Sequence, residues 1–438
     1  MSAPLPFADA LHADGGVPDF GAAILAMADA LAAHSDDPPG LTCAYLTPAH
    51  LATAHLLRDW MQAAGLAVHI DAVGNVVGRL RGHGPDGQRR TLATGSHYDT
   101  VRNGGRYDGR LGILLPIAVA AHLTARGVTL FHDLEIVGFA EEEGVRFGST
   151  FLGSSAWAGR WDNSLLERRD AAGVSMGEAL RAAGHDPAAI PALGRDPAAL
   201  LAYLEVHIEQ GPVLLDRGLP LGIVTAIAGV RRFMVDLTGL ASHAGTTPMD
   251  MRRDAACAAA EMVLAIETRC AGTPGLVGTV GQLVVPDGSI NTIPGACRFS
   301  IDIRAGDDAM RDAAVADVLR AIETIAARRK VAATVTPMLT AACAPCAPRL
   351  VDAIEAAVVA AGVAPLRLPS GAGHDAMMVA NITEVGMLFV RCGNGGISHH
   401  PDEILSAPDA DLAARVFLDL VRRLAGADAT VGYASATP

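Results

Sequence analysis

Charge is scarce in this chain, and what there is lacks a basic cluster. Only 18% of the 438 residues are Asp, Glu, Lys or Arg, and the formal balance is −13. With no run of cations to offset that field, nucleic acid and anionic membrane are excluded as main partners. An anionic substrate must be met by local cations. Long apolar runs are missing too: the longest, "LGILLPIAVAA" (111–121), is too short to span a bilayer and contains Pro116. The N-terminal "MSAPLPFADALHADGG" has neither a basic n-region nor a long apolar h-region, so no signal peptide is expected. Cysteine is sparse: seven residues in an odd, scattered set point to reduced thiols and a cytoplasmic protein. Among them "CAPC" (Cys343, Cys346) lacks a second cysteine pair or a thioredoxin-like setting, so it reads as a loop rather than a redox or zinc knuckle. No internal repeat is present, and low complexity goes no further than general alanine richness.

What is there is a large core. Half of the residues are hydrophobic, and the length calls for more than one folding unit. Thr47 and Pro48 read as an N-cap and first-turn proline, followed by a helical stripe of Leu57, Trp60, Met61 and Ala64 that Gly65 ends. "TLATGS" (91–96), "DLEIVGFA" (133–140), "AYLEVHI" (202–208) and "VGMLFVR" (385–391) read as strands with helices between them. That alternation implies an α/β sheet covered by helices on both faces. Between about 228 and 340 the order becomes strand, helix, strands, helix, strand, which fits an inserted α+β domain of split-βαβ, ferredoxin-like type. The expected division is 1–227 with 341–438 as one domain and 228–340 as the other.

The stretch "GSHYDTVRNGGRYDG" (95–109) places His97, Asp99 and Asp108 on a glycine-rich backbone. His97 follows the first of those strands, the run Glu141, Glu142, Glu143 follows the second, His207 lies near the end of the third, and His399 follows the fourth. In an open α/β sheet ligands sit outside the carboxyl ends of the strands, so these positions converge on one edge. A lone histidine after a strand is most often a satisfied loop residue. Four coincident strand ends are not, and imidazole with carboxylate suits zinc, or manganese and cobalt at lower affinity. Asp108 is the natural carboxylate to bridge two metals ~3.5–4 Å apart. Asp99 is placed to accept the other N–H of His97 and raise its basicity. The same loop has neither GxGxxG nor GxxxxGK[ST], so nucleotide binding has no support there.

Taken together, "GSHYDTVRNGGRYDGRLGI", "FAEEEGVRFGS", "EVHIEQGPVL", "SHAGTTPM", "NTIPG", "IDIR", "SGAGHDA" and "GISHHPDE" resemble the hydantoinase/carbamoylase branch of the M20 metallopeptidase-like amidohydrolases. That branch holds N-carbamoyl-L-amino-acid hydrolases, allantoate amidohydrolases and bacterial β-ureidopropionases. The resemblance runs from about residue 40 to 405 in the expected order. It implies two divalent metal ions per subunit, zinc first, with manganese, cobalt or nickel as alternatives. His97, Asp108 and His207 would hold one, and Asp108, Glu143 and His399 the other, the frame of "SHHP" selecting His399 over His400. Glu142 takes the role of general base.

The same resemblance makes the insertion a lid and dimerisation domain of a homodimer. On "CRFSIDIR", Phe299, Ile301 and Ile303 face one way, and Arg298, Ser300, Asp302 and Arg304 the other. Arg304 alone would be a solvated residue of a sheet face; the resemblance makes it, with Asn291, the clamp on a substrate carboxylate, which suits a planar guanidinium. Gln210 would contact the ureido or carboxylate group, and His243 would reach the reacting carbonyl from the partner subunit. The implied reaction is hydrolysis of a carbamoyl C–N bond with release of ammonia and carbon dioxide. The implied substrate is allantoate or an N-carbamoyl-L-amino acid, "SHYDTVRNGGRYDGRLGI" looking most like the allantoate-degrading members. An exopeptidase or deacylase of the wider superfamily is the rival. His207, together with Gln210, Asn291 and Arg304, argues against it, and Glu142 beside five ligand positions argues against a relative that only binds metal.

Overall fold

Thr47 caps the first helix expected from the sequence: its side chain accepts from the backbone N–H of His50, and Pro48 takes the first helical position. The helix ends at Ala63, and Gly65 turns the chain away in a left-handed conformation. The computed structural model describes residues 18–426, so the stretch read for a signal peptide lies outside the described residues.

In chain order the main elements are α1 (Phe20–Ala32), α2 (Pro48–Ala63), β1 (Ala67–Ile70), β2 (Val76–Leu80), β3 (Thr91–His97), α3 (Leu111–Ala125), β4 (Asp133–Phe139), β5 (Leu200–Ile208) and β6 (Leu221–Ile227). There follow β7 (Gly229–Thr238), α4 (Ala255–Ala271), β8 (Leu276–Thr279), β9 (Ala296–Ala305), α5 (Asp308–Arg329) and β10 (Ala332–Ala341). The chain closes with α6 (Pro348–Ala360), β11 (Val385–Val390) and α7 (Ala407–Leu424). Contacts divide these into two units: Met1–Thr225 with Cys346–Leu368 and His374–Pro438, and Ala226–Pro345 with Pro369–Gly373.

The first unit is built on a mixed sheet of order β1-β2-β4-β3-β5-β11-β6. Its middle strands β4, β3, β5 and β11 are parallel, while β2 and β6 run antiparallel to their neighbours. The middle strands are largely apolar and covered on both faces; every residue of β3, β4 and β11 is buried, Asp133 and Glu135 of β4 included. α3 packs on β3, β4 and β5, and α1 and α7 pack on α3. All residues of α3 from Leu111 to Leu123 are buried, including Pro116, so the longest apolar run of the chain is a core helix. Each fully buried Leu or Ile there contributes about 1.5–3 kcal/mol. Among the described residues no helix is long and apolar enough to cross a membrane.

The second unit has the spatial order β8-β9-β7-β10, all pairs antiparallel, with α4 and α5 connecting them in split-βαβ fashion. Alternation sets its faces. Phe233, Val235 and Leu237 of β7 and Phe299, Ile301 and Ile303 of β9 form a core with Met262 and Ile266 of α4 and Val318 and Ile322 of α5. The opposite face is polar, with Arg232 donating to Asp302 (2.7 Å) and Arg298 to Asp236 (2.6 Å).

Candidate metal centre

Strand ends of the first unit deliver the expected ligands. His97 is the last residue of β3, Glu142 and Glu143 follow β4, His207 is next to last in β5, and His399 lies beyond β11. Asp108 stands just before α3. The glycines around it allow close approach: a Cβ on Gly109, whose φ is +65°, would lie 2.5 Å from the His97 ring, and one on Gly105 would lie 2.2 Å from the Glu403 carboxyl.

Asp108 is shared between two groups of donors. Its Oδ1 is 3.7 Å from His97 Nε2 and 3.3 Å from His207 Nε2, and its Oδ2 is 3.2 Å from His399 Nε2, which is 3.3 Å from Glu143 Oε1. Within His97–Asp108–His207, and again within Asp108–Glu143–His399, the donor atoms all lie within 4.8 Å of one another. Backbone and side-chain acceptors fix the imidazoles. His207 Nδ1 faces the Ile208 carbonyl at 2.8 Å, and His97 Nδ1 faces the Asp99 carbonyl at 3.2 Å and its Oδ1 at 3.3 Å. Both rings therefore carry the proton on Nδ1 when neutral and leave Nε2, on the side of Asp108, as an acceptor; that of His207 takes the Gly109 N–H at 3.1 Å. Asp108 Oδ1 is buried and has no hydrogen-bond partner. A buried carboxylate oxygen without a partner, close to two imidazole Nε2 atoms, fits a divalent cation. His97 and His207 are buried while His399 is half exposed, so the second group is the one open to solvent.

Electrostatics follow from this crowding. Burial works against an ionised Asp108, but His207, His399 and His97 hold its carboxyl well below the usual range. Asp108 and Glu143 raise His399 to about 10. For His97 burial opposes protonation, and Asp108 and Asp99 outweigh it, raising the ring well above its ordinary value. Glu142 sits with His97 and Glu143 in a third cluster whose donor atoms lie within 4.8 Å. Burial, with Glu143 and Asp375 adding to it against His97, pushes the Glu142 carboxyl well up, which makes it a proton acceptor of useful strength. Asp99 accepts from the backbone N–H groups of Glu142 and Glu143, both 3.1 Å, and so ties the His97 loop to the acidic run. Gln210 donates to Asp108 Oδ2 at 2.9 Å and stands 3.4 Å from His399 Nε2. It does so from a left-handed backbone, φ 55°, which few non-glycine residues adopt.

Several members of the cluster went unread in the sequence. Glu403 accepts from the N–H groups of Tyr107 and Asp108, and Ser398 lies between it and Asp108. Glu205, inside β5, accepts from Ser96 Oγ and Ala376 N, and Asp375 is buried beside it and raised to about 8 by burial and by Glu205. An acidic residue between Leu204 and Val206 in a buried strand was the available signal for Glu205. His50 donates to the Ala140 carbonyl (2.6 Å), just before the acidic run.

In the second unit, Ser242–His243 pairs with Thr292–Ile293, and Ala244 N donates to the Asn291 carbonyl, so His243 and Asn291 lie side by side. His243 is exposed and its Nδ1 accepts from Gly245 N (3.1 Å) and Thr246 N (3.2 Å), which leaves the ring proton on Nε2. Arg304 is held elsewhere on that unit: Nε and Nη2 grip Asp302 at 2.8 and 3.1 Å, and Nη1 donates to the Gly371 carbonyl at 2.8 Å. All seven cysteines are free thiols; Cys346 is buried, its thiol pushed up to about 12 by burial, and Cys343 is half-buried.

Known proteins resemble this chain over most of its length. Residues 93–423 match the family described as Peptidase family M20/M25/M40. The chain is 41% identical over 386 residues to an N-carbamoyl-L-amino acid amidohydrolase of Geobacillus stearothermophilus, covering 88% of this chain and 94% of the relative. It is 38% identical over 419 residues to allantoate deiminase 2 of Glycine max, covering 88% and 86%. Among solved structures, a hydantoinase/carbamoylase family amidase from Burkholderia ambifaria superposes with a TM-score of 0.85 at 35% identity, covering 93% of this chain and 98% of that one. The paired donor groups around Asp108 and these near full-length matches lead to one conclusion: the chain belongs to peptidase family M20/M25/M40, among its amidohydrolases.

Proposed function

We propose that this protein hydrolyses the carbamoyl (ureido) C–N bond of a small carboxylate, allantoate or an N-carbamoyl-L-amino acid, with release of ammonia and carbon dioxide. The observation that carries the reading is the sharing of Asp108 by two donor groups with Glu142 buried beside them. His97, Asp108 and His207 would hold one divalent cation, and Asp108, Glu143 and His399 the other. Zinc suits these ligands best, and manganese, cobalt and nickel are accepted by the same set. When bound, the cations supply Lewis acidity, polarising the ureido carbonyl and making water acidic enough to ionise near neutrality.

The chain's own groups do the rest. Glu142 takes a proton from the attacking water and returns it to the leaving nitrogen, a task for which its raised basicity is suited. Asp99 fixes the His97 ring and the backbone of the acidic run. His243, with its proton on Nε2, donates to the oxygen that gains charge as the carbonyl carbon becomes tetrahedral. Gln210 presents an amide to the ureido group, and Arg304 and Asn291 meet the substrate carboxylate.

His243 acts in the site of a second copy, so the working form is a homodimer in which residues 228–340 serve as lid and contact. Support comes from Met249, Met251 and Ile290, large apolar side chains left exposed near His243 and Asn291 in sequence. Seven unpaired thiols favour the reducing cytoplasm. Ammonia release is the test, measured across allantoate, ureidoglycolate, N-carbamoyl-L-amino acids and 3-ureidopropionate with each metal supplied in turn. Stoichiometric ammonia from at least one of them is expected. Turnover of dipeptides or N-acyl amino acids without ammonia from any ureido compound contradicts the reading.

A further inference from the structure

Asp108 and His399 arrive on separate loops, yet the two-cation reading, on which this inference rests, needs them held at a fixed separation. We propose that Glu403, acting through Ser398, is the positioning residue that ties the two loops together and sets that separation.

Glu403 is buried where the loops meet. Its Oε1 accepts from Tyr107 N at 2.8 Å and Asp108 N at 3.1 Å, and its Oε2 accepts from Ser398 Oγ at 2.9 Å. Its own N–H donates to the His400 carbonyl at 3.1 Å. The carboxylate thus takes two backbone donors from the Asp108 loop and the Ser398 hydroxyl just before His399, while the backbone N–H of Glu403 holds His400 just after it. Charge-assisted bonds of this kind are stronger than neutral ones. Gly105 shows how tight the approach is, because any Cβ there would collide with the Glu403 carboxyl.

His399 itself needs such a brace. Its φ is +57°, a left-handed backbone that is unfavourable for a non-glycine residue and persists only where the surroundings impose it. Ser398 and His400 supply the constraint through Glu403. Ser398 Oγ also lies 2.9 Å from Asp108 Oδ2, and a hydroxyl has one proton to give. With a cation held at Asp108, the hydroxyl would donate to Glu403, which would keep it and the turn before His399 in place. Glu403 contacts neither substrate nor cation in this account.

The test titrates metal-free protein with zinc against a chromophoric chelator, and with cobalt while recording its visible spectrum. Ser398→Ala removes the tie. Glu403→Gln keeps an acceptor for the two N–H groups but presents an amide nitrogen to Ser398 in place of an acceptor. Each is expected to weaken the cation held with His399 by about 10–100-fold, to alter the cobalt spectrum, and to leave the cation held by His97 and His207 within a few-fold. The melting temperature of the metal-free protein is expected to stay the same. Unchanged affinity at both sites in a wild-type background of two cations per chain overturns this proposal alone, as does equal weakening at both sites with a lower metal-free melting temperature. A wild-type chain that takes up fewer than two cations overturns the metal reading itself, and this inference with it.

Discussion

Oδ2 of Asp108 stands 3.2 Å from Nε2 of His399, while the other oxygen of the same carboxylate faces His97 and His207. Removing Asp108 therefore strikes both donor groups, whereas removing His399 strikes one. Asp108→Ala is expected to lose most bound metal together with nearly all activity, and His399→Ala to keep about one of two cations. Elemental analysis after gel filtration distinguishes them; equal metal content in the two variants contradicts the shared carboxylate.

His243 is exposed on the second unit with its ring proton on Nε2, and the proposed function makes it a donor to the site of a second copy. Mixing inactive His243→Ala chains with inactive Glu142→Gln chains should then regenerate activity, because a hybrid dimer holds one site with both groups intact. Random exchange limits the recovery to roughly a quarter of wild type. A monomer in sedimentation, or no recovery after proven exchange, rejects the assignment.

His50 makes stability depend on pH. Burial lowers it to about 4 in spite of the bond from Nε2 to the Ala140 carbonyl, and the buried Nδ1 has no hydrogen-bond partner. The unfolded chain takes up that proton near 6.5 and the folded one only near 4. The folded state is thus fully stable with respect to His50 above pH 6.5 and loses on the order of 3 kcal/mol as pH falls from 6.5 toward 4. Urea unfolding of His50→Gln, which retains an N–H for Ala140, should show a shallower loss over that range than wild type. Parallel losses would clear His50.

The parts of the fold that were legible in the sequence are those whose residues carry their own reason. β3, β4, β5 and β11 are short, largely apolar runs, and the residues expected as ligands stand at the ends where an α/β sheet places them. The alternation in β7 and β9 showed which face of the second unit is core. By contrast β1 and β2 are four and five residues long and pair antiparallel at the sheet's edge, too short for a periodic signal. Glu403, Ser398 and His50 act through contacts distant in sequence, and their neighbours do not mark them out. Arg304 was legible as a cation on a polar face, but not that Asp302 and Gly371 already orient it.

That orientation sharpens the expectation for Arg304. With Asp302 fixing the plane of the guanidinium, a lysine keeps the charge and loses the two-pronged geometry, so Arg304→Lys should remain strongly impaired. Loss of one charge-assisted contact to a substrate carboxylate costs on the order of 2–5 kcal/mol in kcat/KM. Replacing the substrate carboxylate by a neutral amide should hurt wild type severely and Arg304→Ala little. Equal losses in both enzymes would return Arg304 to the solvated face of the sheet.

Glu142 is buried beside His97 and Glu143, and the proposed function makes it the general base and not a ligand of either cation. The direct measurement is kcat for ammonia release by Glu142→Gln, made on protein shown to carry the same two cations per chain as wild type. A fall of at least ~10²–10⁴ is expected, with metal content nearly unchanged. Turnover close to wild type on fully loaded protein would contradict it.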